Sequence, residues 1–351
     1  MGGHAGRLRA ALAAAGLVAA ALAVGAATGG NAAKPRTIGT RGSVLEISAD
    51  GARVAIRAEL SGKKKTCQTG AVWTPSTRSV VRIGGDSCFE EGSSRHDSLT
   101  LAGTRVAWVD YDYGNHAYCA GPFTATLAAP KPEAIPSDCD GTTADEYFSF
   151  AGDGNFLVMS SWLLCEVDAV CADEQGNPLP AGVYDVTVSR LSGARPVSIL
   201  PPTKNRELLD ANRGHVLVWE PPGNVVVYSG KGKKLASFAA NGGVDAGSLD
   251  GDTVVFTRGA SLTIGAIANG SVRQRTLARG GKLRDLDGGI LVYTAGRTIH
   301  LLRLADGNDR TYATVKGLVD AQLEPPGLFY AANSGGGPKP GRVTFVPRSR
   351  L

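Results

Sequence analysis

The chain has 351 residues, 37 Lys and Arg against 32 Asp and Glu, and a formal net charge of +5. So balanced a charge argues against nucleic acid as a partner, and a hydrophobic content of 43% supplies a sizeable core. The 47 glycines and 18 prolines, with short β-branched runs and no helical period beyond residue 33, exclude a helical fold and predict an all-β protein with many turns.

Residues 1–33 read as an address. Arg7 and Arg9 precede an uninterrupted apolar run over residues 10–27, and small residues offer cleavage after Ala27 or Ala33. These are the parts of a secretory signal peptide. An uncleaved anchor is the competing reading, but the run is short for a bilayer span and mostly alanine. No cysteine occurs before Cys67, so lipid attachment behind the leader is not available. The expectation is one domain over residues 34–351, secreted or on the cell-envelope exterior, with no membrane span once the leader is removed.

Next in chain order comes an internal repeat, a short strand, a Gly-containing turn and an apolar strand. It recurs at residues 47–56, 99–108, 148–157, 208–219, 247–256, 283–293 and 319–330. From the fourth copy onward, further strands complete four-stranded units: residues 207–212, 215–220, 224–229 and 234–239; then 246–250, 253–258, 261–267 and 272–277; then 282–287, 290–294, 298–304 and 310–315. A sheet of this size cannot bury both faces alone, so such units stack radially into a ring. A seven-bladed β-propeller follows, with six or eight blades as alternatives. The last unit has only three strands, at 319–324, 327–332 and 342–346. Residues 36–41, which have no blade of their own, are expected to supply its outer strand and clasp the ring shut.

The turn sequences Ser48-Ala49-Asp50-Gly51, followed by Arg53-Val54-Ala55, and Leu249-Asp250-Gly251-Asp252, followed by Thr253 to Phe256, carry a family likeness. Over residues 40–347 the repeat resembles the WD-like propeller repeat of the TolB-like family, although several copies lack the aspartate. The resemblance implies the fold strongly and the function weakly. It implies binding of proteins or envelope partners, since some relatives carry peptidase domains that this chain lacks.

Six cysteines in an exported chain imply disulfides. Their order favours Cys67 with Cys88, Cys119 with Cys139 and Cys165 with Cys171, among 15 possible connectivities. Zinc is disfavoured because no paired C-x-x-C knuckles occur and His96 and His116 fall at irregular spacing. On the strand order above, all six cysteines fall in loops of one face, the face of the loops joining second to third strands and one blade to the next. The same three blades carry long insertions at residues 60–71, 110–122 and 161–181. Lys63 to Lys65 in the first reads as a solvated loop. The second presents Asp110, Tyr111, Asp112, Tyr113, His116 and Tyr118, and tyrosines suit a recognition surface. The third adds Trp162, Glu166 and Asp168. Asp110-x-Asp112 opens like a calcium loop but lacks its glycine and closing glutamate. His116 near Asp112 has no nucleophile beside it.

Shortly before the turn glycines, the inner strands carry Ser48, Thr100, Ser149, Ser248 and Asp285, with Asp210 and Gln322 at matching places. These form a candidate polar ring around the axis, with small residues fitting a crowded axis as the alternative. The sequence therefore favours an exported, non-catalytic binding propeller, monomeric and without cofactor or metal, whose partner is a protein or an envelope or extracellular ligand. A propeller hydrolase or lyase acting on a sugar or peptide is the alternative. Carboxylates converging at the channel mouth would favour it.

Overall fold

A computed structural model describes residues 33–60, 66–89, 98–113, 118–137, 145–165, 171–172, 178–179, 182–335 and 339–351. The expected signal peptide of residues 1–33, but for its last residue, and the lysines 63–65 lie outside these residues. Seven four-stranded antiparallel sheets are present. From axis to rim, with strands lettered a to d, blade 1 is Gly42–Asp50, Arg53–Leu60, Thr66–Thr74 and Ser79–Phe89. Blade 2 is Leu99–Ala102, Arg105–Tyr113, Tyr118–Thr126 and the two-residue Glu133–Ala134. Blade 3 is Asp145–Asp153, Phe156–Cys165, Gly182–Ser192 and Arg195–Thr203, with a small side hairpin of Cys171–Ala172 and Pro178–Leu179.

The regular half follows. Blade 4 is Glu207–Asn212, His215–Glu220, Asn224–Ser229 and Lys234–Ala239. Blade 5 is Ala246–Asp250, Thr253–Arg258, Ser261–Ala266 and Val272–Thr276. Blade 6 is Gly281–Asp287, Ile290–Ala295, Thr298–Arg303 and Asp309–Thr314. Blade 7 is Leu318–Glu324, Gly327–Asn333 and Gly341–Pro347, and its outer strand is Arg36–Gly39 from the start of the described chain. Each a strand touches the a strands of the blades on either side, all the way round. The fold is thus an all-β, seven-bladed propeller closed by the N-terminal strand, as the repeat count and the spare segment predicted.

Stacking explains why the strands of blade interiors do not alternate. Val216, Leu217 and Val218 are all fully buried because both faces of blade 4 meet a neighbour. Seven apolar clusters fill the seven interfaces. One contains Val158, Val188 and Leu200 of blade 3 with Ala211, Val216 and Val226 of blade 4. Another contains Phe329, Ala331 and Val343 of blade 7 with Val44, Ile47 and Trp73 of blade 1.

Closure is sealed by side-chain amides. Asn333 Oδ1 accepts from Val44 N at 2.7 Å and its Nδ2 donates to Val44 O at 2.9 Å. Gln322 does the same two turns of pleat further on, accepting from Ala49 N at 2.5 Å and donating to Ile47 O at 3.0 Å. An a strand is a sheet edge, and its inward N–H and C=O groups need partners. At the seam these two amides imitate a neighbouring strand.

Candidate functional site

The axial polar residues follow the same logic. Six of the seven channel candidates, Ser48, Thr100, Asp210, Ser248, Asp285 and Gln322, line one axial cavity of about 330 Å³. The seventh, Ser149, does not belong to the ring. Its register places Ala151 opposite Val158 at the equivalent position, and Ser149 opens instead into a cleft between blades 3 and 4. The ring members reach across to the next blade. Ser48 Oγ accepts from Leu101 N at 2.8 Å. Asp210 accepts from Leu249 N at 2.7 Å, and Asp285 from Leu323 N at 2.7 Å. Thr100 donates to Phe150 O at 3.0 Å.

A second tier of acids, not singled out individually in the sequence, stands at the ends of the a strands. Asp50 accepts from the turn amides of Gly103 and, at 2.7 Å, of Gly154. Asp250 accepts from Gly288 N at 2.7 Å, and Glu324 from Gly51 N at 2.8 Å. This accounts for the repeated Ser-x-Asp-Gly turn in physical terms. In the first copy Ser48 caps the next inner strand, in the second Ser248 donates instead to Asp210 of the preceding blade at 3.2 Å, and in both the acid caps the next turn and the glycine allows the turns to touch. At Gly103, with φ of +62°, a Cβ would stand 2.5 Å from Gly154 O. The recurring acid before the turn glycine was the signal that could have found these residues.

Crowding raises the proton affinity of the cluster. Burial pushes Asp285 up to about 8, with the charges of Asp210 and Asp287 adding to it. Burial pushes Glu324 up to about 9, with Asp285, Asp50 and Asp287 adding, and Asp210 to about 6. Asp50, Asp287 and Asp320 also lie above the ordinary carboxylate range, chiefly through burial. Counter-charges are Arg348 on Asp287 and Arg284 Nη1 at 3.5 Å from Asp320 Oδ1. Among the described residues no group of His, Cys, Asp and Glu has a metal-holding arrangement.

The opposite face, where b joins c and d joins the next a, carries the asymmetry. The b strands of blades 1, 2 and 3 have 8, 9 and 10 residues, against 6 in blades 4 to 6, so they overhang on that face. What the sequence presents as loops is therefore largely paired strand. Asp110, Tyr111, Asp112 and Tyr113 belong to strand b of blade 2, and Tyr113 pairs with Tyr118 across the hairpin. The pattern was read as a loop because it lacks aliphatic residues and runs straight into Gly114 and Asn115. Asp110 is half-buried and accepts from Trp108 Nε1 at 3.2 Å. The side chains of Tyr111, Asp112, Tyr113 and Tyr118 lie outside the described set, as do residues His116, Glu166 and Asp168 altogether.

Cys67 and Cys88 are likewise in strands, directly opposite each other on strands c and d of blade 1, and form a disulfide. Cys139 and the side chains of Cys119, Cys165 and Cys171 lie outside the described set. Two clefts open on this face. The first, about 220 Å³ between blades 1 and 2, is bordered by Arg57, Asp86, Trp108 and Asp110. Buried Arg57 pairs with Glu46 at 3.0 Å. The second, about 570 Å³ between blades 3 and 4, brings together Trp162, which the sequence singled out, and Trp219, which it did not. Trp162 stacks on Tyr147 with ring centroids 6.0 Å apart.

No protein-family model and no curated protein matches the chain. Solved structures do. An acylaminoacyl peptidase of Pyrococcus horikoshii aligns with 88% of this chain and 51% of its own at 12% identity and a TM-score of 0.56. Hsv2 of Kluyvelomyces marxianus aligns over 82% and 89% at 11% identity and 0.52. An oligogalacturonate lyase in complex with manganese aligns over 91% and 99% at 13% identity and 0.50. At such identities the likeness establishes the propeller fold alone.

Proposed function

We propose that the chain is an exported, non-catalytic binding propeller that engages a protein or an envelope or extracellular ligand through the overhanging face of blades 1 to 3. The observation that carries this reading is the coincidence on one face of the lengthened strands, the disulfide and two tryptophan-bordered clefts. Binding surfaces concentrate where a rigid scaffold is locally elaborated. Export rests on the leader and on the disulfide, which belongs to an oxidising compartment. Among the described residues no helix is long and apolar enough to cross a membrane. The Ser-x-Asp-Gly turns keep the TolB-like resemblance as part of this reading.

An enzyme is the second reading, favoured by one observation. Asp285 and Glu324 hold protons near neutral pH in an axial cavity, as a general acid would. Against it, both carboxylates are engaged by backbone amides of the next blade, which assigns them a structural task.

The test is capture of partners from the native envelope by the exported protein and by a Tyr111→Ser, Tyr113→Ser, Tyr118→Ser variant of matched melting temperature. The variant is expected to lose partners that the parent retains. Identical partners on both would remove this face from consideration.

A further inference from the structure

We propose that the cleft between blades 3 and 4 is a binding site for a neutral saccharide, an inference that rests on the binding-module reading. Its origin is a packing defect written into strand b of blade 3. At the fifth position of strand b, blades 2, 4 and 7 carry Val109, Trp219 and Ala331, each with an apolar cluster of the interface to the next blade, and blades 1, 5 and 6 carry the buried and bulkier polar Arg57, Thr257 and Thr294. In blade 3 it is Ser160, paired across the sheet with Ser149. Below it Val158 is fully packed against blade 4. Above it the two serines, too small to continue that packing, leave the 570 Å³ cleft. That volume lies within the ~300–1,000 Å³ typical of small-ligand pockets.

The lining has the two parts a sugar requires. The indole ring of Trp162, with Pro221 and Pro222, offers flat apolar surface for the C–H face of a pyranose, and Trp219 stands at the border of the cleft. Trp162 is braced by Tyr147, and Trp219 is braced by the blade 4–5 core and by its Nε1 donating to Gly242 O at 2.8 Å. The polar groups are mainly acceptors and hydroxyls: Ser149, Ser160, Asn205 and Glu207. Ser160 is 1% exposed, and its Oγ has no hydrogen-bond partner among the described residues. A buried hydroxyl left unpaired costs about 1–3 kcal/mol, so it points to a partner from outside.

Charge excludes the nearest rivals. Arg206, the cleft's cation, is committed to Glu220 at 2.9 Å and to Pro201 O at 2.8 Å, leaving no free cation for a uronate or phosphate. Glu207 brings carboxyl oxygens that accept from hydroxyls and adds no positive charge.

The probes are a glycan array of neutral and uronic oligosaccharides, then titration of the best neutral trisaccharide, of trigalacturonate and of a proline-rich decapeptide, followed by calorimetry and tryptophan emission. Neutral glycans are expected to bind and to shift the emission. Trp162→Ala should weaken them about tenfold or more, and Ser160→Ala by several-fold without lowering the melting temperature of the free protein. Trp162→Phe, which keeps an aromatic face, should retain most of the affinity if Trp162→Ala does not fold. Absence of any neutral glycan on the array overturns the proposal, as does binding of trigalacturonate or the decapeptide in preference, or neutral-glycan binding indifferent to both Ser160→Ala and Trp162→Ala, or to Ser160→Ala alone if Trp162→Ala does not fold. Envelope partners captured through the tyrosine face without glycan binding would sink this inference alone. Loss of both would sink the binding reading as well.

Discussion

Glu324 ends the innermost strand of blade 7 with one oxygen on the Gly51 amide of blade 1 and the carboxyls of Asp285, Asp50 and Asp287 around it. Its folded pKa of about 9 lies far above the unfolded value near 4, so between those limits the native state holds a proton that the unfolded chain has released. Stability from such raised carboxyls is complete below the unfolded pKa and is lost as the pH climbs through the folded one. For Asp210, Asp285 and Glu324 the window of loss therefore runs from about 4 to about 9. The melting temperature should fall between pH 5 and pH 9. Glu324→Gln keeps the acceptor for Gly51 and removes the ionisation, so it should flatten that fall and gain on the order of 1 kcal/mol at pH 9 with no gain at pH 5. An equally steep profile in the variant, measured by calorimetry, would show that the cluster does not govern it. Asp50 answers a different question. It holds two turn amides of two blades, and Asp50→Ala leaves both without it, an expected loss of about 2–3 kcal/mol in denaturant melts. A loss under half of that would mean solvent reaches the turns.

At the level of strands, the propeller is held where its inner edges meet. Asn333 and Gln322 make four hydrogen bonds to blade 1, so Asn333→Ala with Gln322→Ala should cost about 2–4 kcal/mol and raise hydrogen exchange first at Val44 and Ala49. The disulfide works on the unfolded chain. Closing a separation of 21 residues contributes about 3 kcal/mol in the chain-entropy picture, so Cys67→Ser with Cys88→Ser should lower the free energy of unfolding in denaturant melts by about that amount, with a steeper denaturant slope as the unfolded chain expands. Blade count and closure were legible because turn glycines recur at the blade period and residues 36–41 had no sheet of their own. The overhanging strands were not, since Asp110-Tyr-Asp-Tyr113 lacks aliphatic residues and runs straight into the turn formers Gly114 and Asn115, so it reads as a surface loop. The blade 3–4 cleft was harder still. Trp162 and Trp219 stand 57 positions apart, and only the stacking of blades 3 and 4 brings them together. Ser149 stands three residues before Gly152, but Gly152 lies within strand a and the turn glycine is Gly154, three residues before which stands Ala151.

Taken whole, the ring has a working direction. Strand c of blade 7 begins at Gly341 on the overhanging face and ends at Pro347 beside the Gly327 turn, on the opposite face. The clasp runs antiparallel to it, with Arg36 opposite Phe345 and Gly39 opposite Arg342. The chain therefore enters the clasp from the face of the a–b turns. Arg350 Nε donates to Ala33 O at 2.8 Å, so the last described residues leave by that same face. The clasp itself is only 4 residues, yet it covers the outer edge of blade 7, and an uncovered edge pairs with other chains. A form beginning at residue 41 should melt lower and self-associate in size-exclusion chromatography. A synthetic peptide of residues 33–41, added in excess, should restore the monomer, because the edge that binds it in trans is the one it covers in cis. A truncated form that stays monomeric with an unchanged melt would show that the ring closes by its inner seam alone.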